Sequence, residues 1–324
     1  MSDGVRRGIS TGMWVFVAAF GVLIAYTQRM PVPETLPAMP SWHEAMVSLC
    51  RRIFGDAHLV GRALPTALAG ALAVLFTYAV SARGNLYRGI AAAAMLIGCM
   101  EFLLGARYCA TGMFYLAALT GVVFAGSFLP KKLHSLILFL WMGVWVLLGW
   151  DGFNAPAYSI PRNFYDYAPL SVLLIPAALI GIWDLVRSKH PDLRLLLGGA
   201  VILLIAAPSE VWFYSAPLAA WRVADFLTGA RRHVRLRNAF LWLLRGVVWG
   251  LAAAFILLAL KWRESGYDMP LMIPGGTLAV LSIGVFAVNK IKMTLRVAAL
   301  AALAGFAAAA FVIMVLEPYW TLGR

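Results

Sequence analysis

Carboxylates are scarce in this chain, and their placement limits the chemistry open to it. Of 14 acidic residues in 324, nine fall in one set of connections between apolar stretches: Glu34, Glu44, Asp56, Asp151, Asp166, Glu210, Glu264, Asp268 and Glu317. We call these connections outer. A carboxylate-bearing face can move protons to and from a reacting group or bind cations. Ordinary loop solvation produces the same bias, so the two readings stand side by side. Cys50, Cys99 and Cys109 form an odd set without a CxxC pair or a His/Cys cluster. Neither a structural zinc site nor a disulfide framework is expected, and Cys99 and Cys109 read as packing residues. No GxGxxG, P-loop, SxxK or HExxH pattern occurs, so the soluble-enzyme chemistries those motifs position are not signalled.

A second group of ionisable residues lies within the apolar stretches, where each needs a partner or a water-filled cavity. Glu101 stands six residues before Arg107. Six residues of helix rise about 9 Å and put the two on different faces, although long side chains can converge near an interface. Arg222 and Asp225 are three apart, a spacing that lets them meet on one helix face, where they read as a structural pair. Arg245 is a further candidate for the same group.

The elements that must position these residues are apolar helices. The composition is 62% hydrophobic and only 13% charged, well beyond what one aqueous core accommodates. Stretches long enough to cross a bilayer fall at 13–28, 64–82, 89–105, 110–129, 133–150, 168–186, 194–208, 212–229, 239–260, 270–289 and 296–316. The seventh and eighth are short and separated only by Ala207-Pro208-Ser209-Glu210, which also fits one kinked helix and a re-entrant piece. The first follows Arg6 and Arg7 and lacks a small-x-small cleavage pattern, so it reads as a retained signal anchor. The expected fold is therefore all-α: a polytopic membrane bundle of about eleven spans, forming a single membrane domain over residues 1–324.

Charge assigns the bundle a direction. Arg6, Arg7, Arg83, Arg88, Lys131, Lys132, Arg187, Lys189, Arg194, Arg231, Arg232, Arg235, Arg237, Lys290, Lys292 and Arg296 make 16 of the 27 basic residues, and all belong to alternate connections. By the positive-inside rule these connections are cytoplasmic, giving an N-in, C-out inner-membrane protein. The net charge of +13 follows largely from this topology and calls for no nucleic-acid partner. The basic loop at 230–238 reads as a stop-transfer cluster or an anionic-lipid contact. Trp150, Tyr165, Trp212, Tyr214, Trp262 and Tyr319 gather near the outer ends, as interface anchors or as walls of a lipid-tail groove.

The longest outer segment, 29–63, begins with Pro31, Pro33, Pro37 and Pro40, which exclude a regular helix. Ser41 then opens a helix over 41–54, with Glu44 at the spacing of a capping box. Trp42, Ala45, Met46, Leu49, Ile53 and Phe54 recur at helical spacing, with His43, Glu44, Ser48, Arg51 and Arg52 largely on the other side. Such a helix beside a membrane bundle is expected to lie in the interface. Capping is the first role of Glu44; catalysis is the alternative.

Several of these landmarks together resemble the membrane glycosyltransferases of family 39, which include aminoarabinose transferases of lipid A and protein O-mannosyltransferases. Phe54-Gly-Asp-Ala-His-Leu-Val-Gly-Arg62-Ala-Leu-Pro65-Thr-Ala-Leu-Ala-Gly70 is similar to that family's "lfG…e…R.psalaG" stretch. Ala106-Arg107-Tyr108-Cys109-Ala110-Thr111-Gly112 follows at the distance of its "aR…tD" element. Glu210-Val-Trp212-Phe213-Tyr214-Ser-Ala-Pro217 resembles its "k..yylp..P.la" segment, a match that Tyr267-Asp-Met-Pro270 also claims. The resemblance covers roughly residues 13–290 and implies the C-type glycosyltransferase fold.

It also implies a mechanism. A polyprenyl-phosphate sugar enters from the membrane, an outer-loop carboxylate acts as base or metal ligand, and cations hold the phosphate as the sugar moves to its acceptor. Glu34, Asp56 and Glu44 are then the candidate catalytic carboxylates, with room for a divalent cation that the sequence leaves unidentified. Arg62 and Arg107 match family arginines, and Lys261 and Arg263 are further outer cations for the phosphate. Two departures stand against catalysis. Pro33 occupies the first position of the family's Asp-Glu pair, and Gly112 replaces the Asp of the second element. The large soluble outer domain of many members is also missing. The alternatives are a catalytically inactive subunit of a membrane protein complex and a lipid flippase or transporter, the last without a visible inverted repeat of broken helices.

Overall fold

The computed structural model describes residues 3–28, 41–54, 59–83, 85–98, 102–103, 112–126, 128, 133, 217, 220–221, 223–225, 228, 234–261, 268–287, 293–311 and 314–315. Among them the chain is helical almost throughout. In order the helices are α1 (Asp3–Gln28), α2 (Ser41–Phe54), α3 (Leu59–Ser81), α4 (Leu86–Ile97), α5 (Gly112–Gly126), α6 (Val234–Lys261), α7 (Asp268–Ala287) and α8 (Met293–Phe311). Three contain apolar stretches long enough to cross a membrane: Arg7–Ile24, Ala63–Ser81 and Asn238–Lys261. Shorter apolar helices cover Leu86–Ile97, Gly112–Gly126, Met272–Val285 and Leu295–Phe311. The chain is a membrane protein by the length and composition of these helices. Seven of the eleven expected spans fall on these helices. The stretches 133–150, 168–186 and 194–208 lie outside the described residues except for Leu133, and 212–229 is described only at isolated positions.

Helix α3 is the centre, packing against α1, α2, α4 and α5. Its inner positions are small: Ala67, Gly70, Ala71 and Ala73 are buried. Small residues let backbones approach closely where lipid supplies no hydrophobic drive for association. At Gly70 the missing side chain makes room for the Met113 and Leu23 tips. Helix α1 runs antiparallel to α3. Gly12 leaves space for the Tyr78 ring, and the Tyr78 hydroxyl donates to the Gly8 carbonyl at 3.1 Å.

The α3–α4 reversal is short and locally encoded. The Asn85 side chain accepts from the Tyr87 amide at 3.1 Å, capping α4, and the Asn85 amide bonds to the Ala82 carbonyl at 3.0 Å. Helix α4 then joins the first group of helices to the second. It packs on α8, where Gly305 lies directly against the Ala94 backbone with no space for a side-chain carbon. Around that contact Ala91, Ala92, Ala301, Ala304 and Ala308 are all buried. Beyond it α6, α7 and α8 pack on one another, with the Phe255 and Phe311 rings edge to face at 5.8 Å.

The outside of the bundle is as apolar as its core. Met13, Trp14 and Val17 on α1, Trp242, Leu257 and Leu260 on α6, and Ile273, Val280 and Ile283 on α7 are exposed. Apolar surface this extensive is incompatible with a water-facing monomer and natural against acyl chains. It also explains why α6 and α7 show no polar face in sequence.

Helix α2 departs from the expected facing. Helical spacing groups His43 with the polar side, yet it is 0% exposed and turns inward with Val47 and half-buried Cys50. Met46, Leu49 and Ile53 form a separate apolar stripe, 40, 58 and 66% exposed. Glu44, Ser48 and Arg52 are exposed as well. The helix therefore carries three faces rather than two. Successive residues turn through one hundred degrees on a helix of 3.6 residues per turn, which puts the docked face between the apolar stripe and the polar one.

Candidate functional site

The described residues give two regions where polar chemistry and packing coincide, at opposite ends of the α3–α5 unit. The first is the seat of α2. The His43 ring packs against Phe114 of α5 at 5.0 Å, and Trp42 meets the same ring edge-on at 5.2 Å. Phe114 is the third residue of α5, so the first turn of α2 is held on the first turn of α5. Burial among these rings lowers the His43 pKa to about 4, because an imidazolium there would lose its hydration. His43 is thus a neutral packing group at physiological pH, and no sequence signal apart from its i, i+4, i+7 relation to Val47 and Cys50 marked it as such.

Of the expected site residues, Glu44 and Lys261 are described with their side chains. Glu44 is exposed in the first turn of α2, where a carboxylate faces the positive end of the helix dipole. It is accessible to solvent and next to the docked His43. Lys261 is exposed in the last turn of α6. Helix α6 packs on α7 and α8, whereas α2 packs on α3, so these two residues belong to different packing units. Arg62 lies in the first turn of α3, the helix that carries α2; its side chain lies outside the described residues. Glu34, Asp56, Arg107 and Arg263 also lie outside them, as does Pro33. Gly112 is buried at the start of α5, two residues before Phe114. Among the described residues no group of three His, Cys, Asp or Glu side chains could hold a metal.

The second region gathers basic residues at the other end of α3. Arg88, in the first turn of α4, makes three bonds with one guanidinium. Its Nε donates to the Ser81 carbonyl at 2.5 Å, its Nη2 donates to the Arg83 carbonyl, and its Nη1 pairs with Asp225 at 2.8 Å. The first two satisfy carbonyls at the C-terminal end of α3, where a cation also complements the helix dipole. The third ties the α3–α4 hairpin to the segment around 225. Arg88 lies 137 positions from Asp225 in the chain; Arg222, which spacing pairs with Asp225, lies outside the described residues. Arg83 stacks over Phe128 at 4.8 Å, and Arg245 over Trp242 at 4.6 Å. The first contact shields a guanidinium just past the end of α3, and the second shields one inside the apolar stretch of α6.

No family model matches the chain, and no curated protein and no solved structure shows a significant match to it.

Proposed function

We propose that this chain is a membrane glycosyltransferase-like protein that binds a polyprenyl-phosphate-linked sugar at its outer face, beside the seat of α2. The carrying observation is the mounting of α2. Its His43 face is docked on the bundle through Phe114, its Met46–Leu49–Ile53 stripe is left exposed, and Glu44 stands on the polar side. A helix with these three faces is suited to lie in the membrane interface, apolar stripe among acyl chains and carboxylate in water. The family resemblance singles out Glu44 on α2, Arg62 in the first turn of α3 and Gly112 at the start of α5; the packing of α2 on α3 and on Phe114 supports this reading.

In this reading the basic end of the bundle is cytoplasmic. The Gly8–Tyr78 bond brings the Arg7 turn to the end of α3 that also carries Arg83 and Arg88, as an N-in arrangement requires. About eleven spans, a C-out terminus and an inner-membrane location complete the proposed topology. Arg62, Arg107, Lys261 and Arg263 are the proposed phosphate-holding cations, and Glu34, Asp56 or Glu44 the base or ligand for a divalent cation.

The test is transfer of sugar from a polyprenyl-phosphate donor by the purified protein. Glu34→Gln, Asp56→Asn and Glu44→Gln are each compared with wild type at equal membrane insertion. Loss of transfer in one of them identifies the carboxylate; unchanged transfer in all three rejects the assignments. Pro33 and Gly112 in place of two family carboxylates support a second reading, a catalytically inactive subunit of a membrane complex. It predicts no transfer by wild type and a stoichiometric partner chain after purification in mild detergent.

A further inference from the structure

Helix α2 has a flank that its seat on the bundle does not use. At about 100° per residue, Arg52 lies about 180° around the helix axis from His43, so it points away from the contact with Phe114. Leu49, in the exposed apolar stripe, is about 60° from Arg52 on one side, and Ser48 is about 40° from it on the other. Arg52 and Ser48 are both exposed, and Leu49 and Ile53 are 58 and 66% exposed. Arg51 has different surroundings. It lies about 100° further from the stripe and is half-buried.

Neither Arg52 nor Ser48 makes a hydrogen bond or an ion pair among the described residues. Glu44, the acid of this helix, is eight residues from Arg52, about 12 Å of rise. A guanidinium and a hydroxyl therefore stand one turn apart on the same flank, both open, with no counter-charge beside them. Their level in the membrane narrows what they can meet. With the stripe among acyl chains, Arg52 is about 80° around from the middle of the stripe, at the height of the headgroups. Its stem can lie along Leu49 while its charge stays in the polar layer. A phosphate oxygen accepts from both guanidinium and hydroxyl donors. A zwitterionic headgroup carries its own cation next to the phosphate, and an anionic one does not, so charge complementarity selects the anionic lipid.

We infer that the free flank of α2 docks on an anionic phospholipid of the surrounding leaflet, with Arg52 and Ser48 on its phosphate and Leu49 and Ile53 against its acyl chains. This rests on the placement of α2 in the membrane interface and adds which lipid it meets there. It holds whether or not the chain transfers sugar.

The test places the full chain in nanodiscs of phosphatidylcholine alone, or of equal parts phosphatidylcholine and phosphatidylglycerol with the same acyl chains. Protection of 41–54 against hydrogen exchange is measured in both at one pH. Wild type is expected to exchange about fivefold more slowly with phosphatidylglycerol present, the effect of one basic residue at an anionic surface. Arg52→Gln should lose that difference and Arg52→Lys should keep it. Equal protection of wild type in the two lipids, or an undiminished difference in Arg52→Gln, overturns the inference. Loss of the difference in Arg52→Lys as well would mean that the arginine acts through packing rather than charge, and also overturns it. A second measurement separates this inference from the placement of α2. A spin label is attached at Ile53→Cys in a chain whose other cysteines are replaced by serine, and its accessibility to oxygen and to a water-soluble nickel chelate is compared. A label in lipid without a phosphatidylglycerol effect means that the lipid preference alone fails. A label in water means that the placement of α2 fails, and the inference with it.

Discussion

Replacing Asp225 by asparagine removes the charge that holds the 217–228 segment against the α3–α4 hairpin. The ion pair spans 2.8 Å with side chains 21% and 32% exposed, so it is neither a surface pair nor a fully desolvated one. Surface pairs contribute about 0–1 kcal/mol, and breaking a buried pair costs about 3–5 kcal/mol. A charge-assisted hydrogen bond in partial contact with the surroundings falls between, and we expect a coupling of about 1–2 kcal/mol. Arg88→Gln should cost more than Asp225→Asn, about 3 kcal/mol, because Arg88 also satisfies the Ser81 and Arg83 carbonyls at the end of α3. A double-mutant cycle separates the two effects. Wild type, Arg88→Gln, Asp225→Asn and the double variant are unfolded reversibly in mixed micelles, and the double variant should lose less than the sum of the singles. Additivity within about 0.5 kcal/mol would show that the pair does not couple the hairpin to the segment, and the reasoning would fail.

Three further outcomes are expected. Gly305→Ala should destabilise the bundle by about 1–3 kcal/mol and more than Gly70→Ala, because Gly305 faces the Ala94 backbone whereas Gly70 faces the movable tips of Met113 and Leu23; equal melting temperatures would contradict this. His43 is neutral when α2 is docked, with a pKa of about 4 against 6.5 when solvated, so its contribution is complete above pH 6.5 and is lost as pH falls toward 4. The protection of 41–54 against hydrogen exchange, relative to the intrinsic exchange rate at each pH, should therefore fall across that window, by as much as about 3 kcal/mol of opening free energy, and His43→Phe should flatten the dependence. Glu44→Gln should cost no more than about 1 kcal/mol of stability, since only the helix-dipole term is removed from an exposed side chain; a larger loss in thermal melting would assign Glu44 a structural role.

Much of the helical architecture was legible because hydropathy is a local property. The stretch expected over 41–54 is α2 from Ser41 to Phe54, and those expected at 239–260, 270–289 and 296–316 lie within or across α6, α7 and α8. The candidate site was less legible. The facing of α2 at His43 is not legible in the sequence, because an aromatic, polarisable ring counts as polar in a periodicity argument and packs as apolar once surrounded by Trp42 and Phe114.

What the sequence determined by itself is which segments leave water, since that depends on side chains summed along each stretch, and which connections are basic. The tertiary structure alone decided which faces of those segments meet. In a helix apolar all round, hydropathy does not distinguish lipid from protein, so pairing follows shape: Gly305 against Ala94, Gly12 against Tyr78. It also decided which charges pair. Asp225 finds Arg88 across 137 residues, because a carboxylate among apolar helices is stabilised by a cation that the packing brings within reach.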